Sequence, residues 1–252
     1  MEEYKKDEPI KIIDVGADQN IDIKKDIEFV KENGVFISIA ISIIALGMGI
    51  YNSYQIQNGG VVAKAGGVKT PALEKILKEL PENVPVIGNP EAKLTIVEMA
   101  DFQCPFCGRF HRDTLSALKQ KYIDTGKVKF VYLDYAFLGQ ESRDASEAAK
   151  CASEQGKFWE YHDQLYNNQN GENQGNFNLI NFKKYATAIG LDVAKFESCV
   201  ADTRYDKQIA DELALGKKYG VNGTPAFIIG KQFINGASPL ANFEQVIDSQ
   251  LK

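Results

Sequence analysis

The period of the apolar positions changes several times along the chain, and each change marks an element. A nearly continuous apolar run, Leu94 to Ala100, reads as a buried strand. Directly after it, Cys107, Phe110, His111, Thr114, Leu115, Leu118 and Tyr122 recur at steps of three and four, one face of a helix over 104–122. Gly126 closes that stretch, and Val128 to Tyr135 reads as a second strand. A strand, a helix and a strand in this order make a β-α-β unit, with parallel strands and a right-handed crossover.

From Glu141 to Gly220 the spacing is helical throughout. Ala145, Ala148, Ala149 and Ala152 share one face, and Phe158 to Tyr166 is a short helix rich in aromatics. After the polar loop 167–176, Leu179, Phe182, Ala186 and Ile189 precede Gly190. Asp192 then caps a helix that turns Val193, Phe196, Cys199 and Val200 inward, and Ile209, Leu213 and Ala214 mark the last helix of the series. Alternation returns at Ala226–Ile229 and Gln232–Ile234, separated by Gly230-Lys231 as a two-residue hairpin. Leu240, Phe243, Val246, Ile247 and Leu251 mark a final helix. The order β-α-β, helical insert (about 141–219), β-β-α specifies an α/β, thioredoxin-like fold over 84–252.

Upstream of that domain the pattern is different. Gly34 to Ala63 carries no charged residue, and Val35 to Ile50 is apolar apart from small residues and two serines. As a helix, residues 34–51 span roughly 27 Å, enough to cross a bilayer. The reading adopted is an uncleaved transmembrane anchor. A cleaved signal peptide, with a site at Ala63-Lys64-Ala65, and a buried core helix are the alternatives. Lys24, Lys25 and Lys31 before the span, against Lys64 and Lys69 after it, place the N-terminus in the cytoplasm and the bulk of the chain outside a cell membrane crossed once. Residues 1–33 read as a disordered cytoplasmic tail. Residues 52–83 read as a linker with a short helix, Pro71 to Leu80, capped by Thr70.

Composition adds limits. With 252 residues, 44% hydrophobic and 25% charged, the chain holds one or two globular domains. The net charge of −5, carried mostly by the acidic tail, argues against nucleic acid as a partner.

The chemistry concentrates where the first strand meets the first helix, at Asp101-Phe102-Gln103-Cys104-Pro105-Phe106-Cys107. A helix N-terminus offers unpaired N–H groups and the positive end of the helix dipole, both of which favour a thiolate. Cys104 is therefore the nucleophile, with a lowered pKa, and Cys107, inside the turn, the resolving thiol. Pro105 suits the first helical turn. A zinc site would need two further ligands near the pair. The chain offers only His111, His162 and the isolated Cys151 and Cys199, so no metal and no cofactor is expected. Glu98 stands in an apolar strand six residues before Cys104; burial there would raise its pKa and let it move protons for the thiols, whereas at a sheet edge it would simply reach water. His111 reads as a core histidine rather than a partner of the thiolate, and Phe158, Trp159 and Tyr161 as packing.

Three separated stretches resemble the DsbA-like thiol–disulfide oxidoreductases. They are Val86-Ile87-Gly88-Asn89-Pro90-Glu91-Ala92 through Cys107; Ala148-Ala149-Lys150-Cys151-Ala152 with Gln155-Gly156-Lys157-Phe158-Trp159-Glu160-Tyr161-His162; and Gly220-Val221-Asn222-Gly223-Thr224-Pro225. The resemblance covers about 84–252. It implies a Pro225 that is cis and faces Cys104, a Thr224 whose backbone pairs with an extended substrate, and a buried acid at Glu98. It also implies disulfide exchange on reduced or misoxidised extracytoplasmic proteins. Reoxidation would then need a membrane partner, a quinone-linked oxidase. Phe106 departs from the strongly oxidising members, which carry histidine there; it offers substrate an apolar contact alongside Pro105. With the active pair assigned, Cys151 and Cys199 remain; outside the cytoplasm a structural disulfide between them is the reading adopted, with two buried free thiols as the alternative. Two other readings stand beside disulfide introduction: a reductase or isomerase of the same fold, and a peptide-binding, chaperone-like module.

Overall fold

The computed structural model describes residues 73–252. The tail expected over 1–33, the span over 34–51, and the linker up to 72, with Thr70 and Pro71, lie outside them. Among the described residues no helix is long and apolar enough to cross a membrane.

One sheet organises the domain, in the order β1 (Val86–Ile87), β3 (Val128–Asp134), β2 (Leu94–Ala100), β4 (Ala226–Ile229), β5 (Gln232–Asn235). The apolar run of β2 takes the centre, with all seven residues buried. It pairs parallel with β3, Val97 opposite Val131, and antiparallel with β4, Val97 opposite Ile228. β4 and β5 form the expected antiparallel hairpin. β1 is an addition: its two residues pair antiparallel with the far edge of β3, a run too short to carry a period of its own.

The helix after β2 is composite. It is α-helical over Pro105–Phe110 and Ser116–Leu118 and π-helical over His111–Leu115 and Lys119–Ile123; we call the whole α2. Its apolar stripe predicts a helix but not the extra residue per turn, which changes side-chain phase without interrupting burial. Phe110, Leu118 and Tyr122 pack with Ile96, Phe130, Phe227 and, from α8 (Leu240–Gln250), Phe243 and Ile247.

The opposite face of the sheet is covered by α1 (Leu73–Leu77) and α7 (Asp206–Lys218). Ile76, fully buried, packs in one cluster with Val97, Met99, Leu133 and Leu215. The short helix assigned to the linker is thus part of the domain's core: its apolar face is satisfied by the sheet.

The insert consists of α3 (Gln140–Ser153), α4 (Phe158–Asn167), α5 (Leu179–Ala188), α6 (Val193–Asp202) and α7. Asp192 caps α6 by accepting from the Lys195 N–H. A disulfide joins Cys151 on α3 to Cys199 on α6, with Cα atoms 5.7 Å apart. A buried ion cluster ties the insert to the sheet. Lys150 Nζ lies 2.9 Å from Asp134 Oδ2 and 2.7 Å from Glu212 Oε1, and Glu212 Oε2 accepts the Asp134 N–H at 2.7 Å. Burial works against the Lys150 ammonium, but the two carboxylates outweigh it and its pKa rises.

Candidate active site

β2 ends at Ala100, and the chain turns through Asp101–Gln103 before α2 begins. Cys104 is the N-cap of α2, with Pro105 in the first turn. The turn is anchored by Asp101, whose carboxylate accepts from the Gln103, Phe137 and Leu138 N–H groups and the Ser142 hydroxyl, at 2.6 to 3.1 Å. Gln103 donates to Ser142 Oγ at 2.8 Å and accepts the Asn173 N–H at 2.6 Å. Gln169 donates to the carbonyls of Phe102, at 2.6 Å, and Cys104, at 3.1 Å. The insert and its polar loop therefore hold the backbone of the cysteine turn from outside.

Cys104 is 5% exposed and Cys107 1%, and both are free thiols. The Cys104 thiol is lowered to about pKa 6. The largest cause is the Cys107 thiol hydrogen-bonded to it; burial opposes the shift, and Thr224 and the N–H groups of Cys107 and Phe106 add to it. Cys107 moves the other way: burial, then its bond to Cys104, push its pKa well up. The two sulfurs are thus driven apart, one toward thiolate and one toward thiol.

Thr224–Pro225 is a cis peptide bond, and the Cys104 thiol donates to the Thr224 carbonyl at 3.4 Å. Among the described residues the buried Thr224 hydroxyl has no hydrogen-bond partner, and a bond from it to the ionised sulfur is among the causes that lower the Cys104 pKa. Glu98, 2% exposed, lies opposite Tyr132 on β3 and Phe227 on β4. On a central strand it has no route to water along a sheet edge. Burial, then the Cys104 charge, raise its pKa to about 8, so it holds a proton at neutral pH.

Exposed aromatic side chains flank the cysteine turn. Phe106 is 51% exposed, with the Arg109 guanidinium 4.9 Å from its ring centroid, and Phe137 is also exposed. Phe137 carried no signal in the sequence; only the return of the chain from β3 to Asp101 puts it there. His111 stacks on Tyr166 at 5.3 Å, and burial lowers its pKa to about 4, so it brings no cation to Cys104. Phe158 and Tyr161 are buried in the insert core. The pair, Glu98, Thr224 and Pro225 thus converge, whereas Cys151 and Cys199 lie in the insert, bonded to each other. Asp101, Gln103 and Gln169 were not legible as site residues, because a lone polar residue in a turn has many other reasons to be there.

Residues 81–249 match the sequence model of the thioredoxin family. The Na(+)/H(+) antiporter NhaA 3 of Salinispora tropica is 34% identical over 158 residues, which are 62% of this chain but 22% of the antiporter. Disulfide bond formation protein D of Bacillus subtilis is 27% identical over 173 residues, 67% of this chain and 77% of that protein. The crystal structure of oxidised BdbD from Bacillus subtilis superposes with a TM-score of 0.63 at 23% identity, covering 67% of this chain and 92% of that one.

Proposed function

The chain belongs to the thioredoxin family, with the DsbA-like form of its fold, and from that premise we propose that it is a thiol–disulfide oxidoreductase that introduces disulfides into extracytoplasmic proteins. The observation that carries this reading is the Cys104 thiol, lowered to about 6 at a helix N-terminus and backed by a protonated Glu98. A stabilised thiolate stabilises the reduced enzyme, so its disulfide is a better oxidant.

In the oxidised enzyme a substrate thiolate attacks Cys104 Sγ. The Cys104–Cys107 bond breaks, and its electron pair leaves with Cys107, which takes a proton from Glu98. A second substrate thiolate attacks the substrate sulfur of the mixed disulfide. Cys104 departs as thiolate, and the substrate keeps the new disulfide. Phe106, Pro105 and the Thr224 backbone offer an apolar contact and an extended-chain contact to the substrate. Reoxidation returns two electrons to a quinone-linked membrane oxidase. The charge-free stretch 34–63 supports a single-pass anchor, and Lys24, Lys25 and Lys31 before it, against Lys64 and Lys69 after it, support a cytoplasmic N-terminus.

The test is the reduction potential of the Cys104–Cys107 couple in the full chain, equilibrated with glutathione. A potential well above that of the glutathione couple is expected. A potential well below it assigns a reductase instead and overturns the direction of transfer.

A further inference from the structure

The chain has two histidines, and the fold brings them together. His111 opens the first π-helical segment of α2, and His162 lies on α4, where Asp163 follows it. The imidazole rings meet edge to face, with centroids 5.2 Å apart. His162 Nδ1 lies 2.9 Å and His111 Nδ1 3.8 Å from Asp163 Oδ1. The ligand atoms of all three residues lie within 4.8 Å of one another.

We propose that His111, His162 and Asp163 form a site for a divalent transition metal of the zinc class, outside the cysteine pair. Three observations support it. First, among the described residues His111 Nδ1 is buried without a hydrogen-bond partner, although ligand atoms of His162 and Asp163 lie within 4.8 Å. A buried polar atom left unpaired is uncommon and asks for a reason. Second, the spacing suits a metal. Two ligands about 2.1 Å from a tetrahedral ion stand about 3.4 Å apart. His162 Nδ1 and Asp163 Oδ1, hydrogen-bonded at 2.9 Å, and His111 Nδ1, 3.8 Å from the same oxygen, each need a shift of about half an ångström to reach it, with the ion replacing the hydrogen bond. Third, the π segment that begins at His111 re-phases the helix there, and such segments recur at functional sites.

The donor set selects the ion. Two imidazole nitrogens and one carboxylate oxygen suit zinc, nickel, copper or cobalt, whereas calcium and magnesium require cages of oxygen. His162 is buried and Asp163 half exposed, so an ion enters from the Asp163 side and water completes its coordination. Bound there, the ion links the helix that carries both active cysteines to α4 of the insert.

Cobalt is the probe. The full chain is oxidised first, so that Cys104 and Cys107 are joined and offer no thiolate. Titration with cobalt chloride is followed by visible absorption. We expect one ion per chain, a d–d band of tetrahedral intensity without thiolate charge transfer, and displacement by zinc. His111→Ala and Asp163→Ala each remove one ligand and weaken binding by tenfold or more, on the order seen when even an outer-sphere partner of a metal is lost. Asp163 is exposed enough for its variant to keep the fold, which circular dichroism verifies. Binding unaltered in both variants, an absorption band of thiolate charge transfer, or no saturable binding each overturns the site.

Discussion

Among single residues, Glu98 has the sharpest consequence. Its pKa, raised from 4.5 to about 8, means that between these values the unfolded chain has released a proton that the folded chain retains. The unfolded state then binds fewer protons, so stability falls as pH rises through this window. The contribution is complete below pH 4.5 and lost by about pH 8. Glu98→Gln removes the penalty and stabilises the reduced protein by about 3 kcal/mol at pH 7, but by much less at pH 5. Urea unfolding of both proteins at the two pH values reads this directly; a gap that stays constant contradicts a buried, protonated Glu98. The variant also slows reduction of the enzyme by substrate, because Cys107 loses its proton donor.

At the scale of elements, the contact between α2 and the polar loop 168–178 positions the nucleophile. Gln169 reaches the Cys104 carbonyl beside Gly108, and a Cβ at position 108 would collide with the Gln169 amide. Gln169→Ala loses two hydrogen bonds to buried carbonyls, a cost of about 1–3 kcal/mol. Gly108→Ala displaces the same side chain and costs a similar amount. Because both remove one contact, the double variant is expected to cost less than the sum of the two singles. Denaturant midpoints of the four proteins form the cycle, and strict additivity would show that Gln169 does not seat on the turn.

For the molecule as a whole, the insert is held by two different kinds of link. The Lys150–Asp134–Glu212 cluster joins it to the sheet, and Cys151–Cys199 staples α3 to α6 across a sequence separation of 48. A loop of that length closed by a disulfide restricts the unfolded chain enough to stabilise the fold by about 4 kcal/mol. Replacing both cysteines by serine is therefore expected to lower stability by roughly that amount. The Cys104–Cys107 potential is expected to change little, since the cysteine turn is held by Asp101, Gln103 and Gln169 and not by the disulfide, although both pairs share one core cluster. Thermal unfolding together with glutathione titration distinguishes the two effects, and a large shift in potential would show that the insert disulfide is coupled to the active pair.

The sequence by itself determined the order of the elements other than β1, because a period of two or of three to four survives wherever one face is buried. It also placed Cys104 at the start of a helix and marked Cys107 as the more enclosed thiol, since both statements depend on neighbours within a few residues. Tertiary structure alone decided what depends on distant segments. β2 became the central strand, which turned Glu98 from a residue of open fate into a fully buried acid. The short helix at Ile76 joined the core, although its flanking prolines and the tether before it look like a linker. Lys150, Asp134 and Glu212 lie far apart in sequence, and only folding gave each a buried counterpart. The two histidines, 51 positions apart, meet for the same reason. A local pattern records which face of an element is buried; which other element lies against that face is a property of the packed molecule.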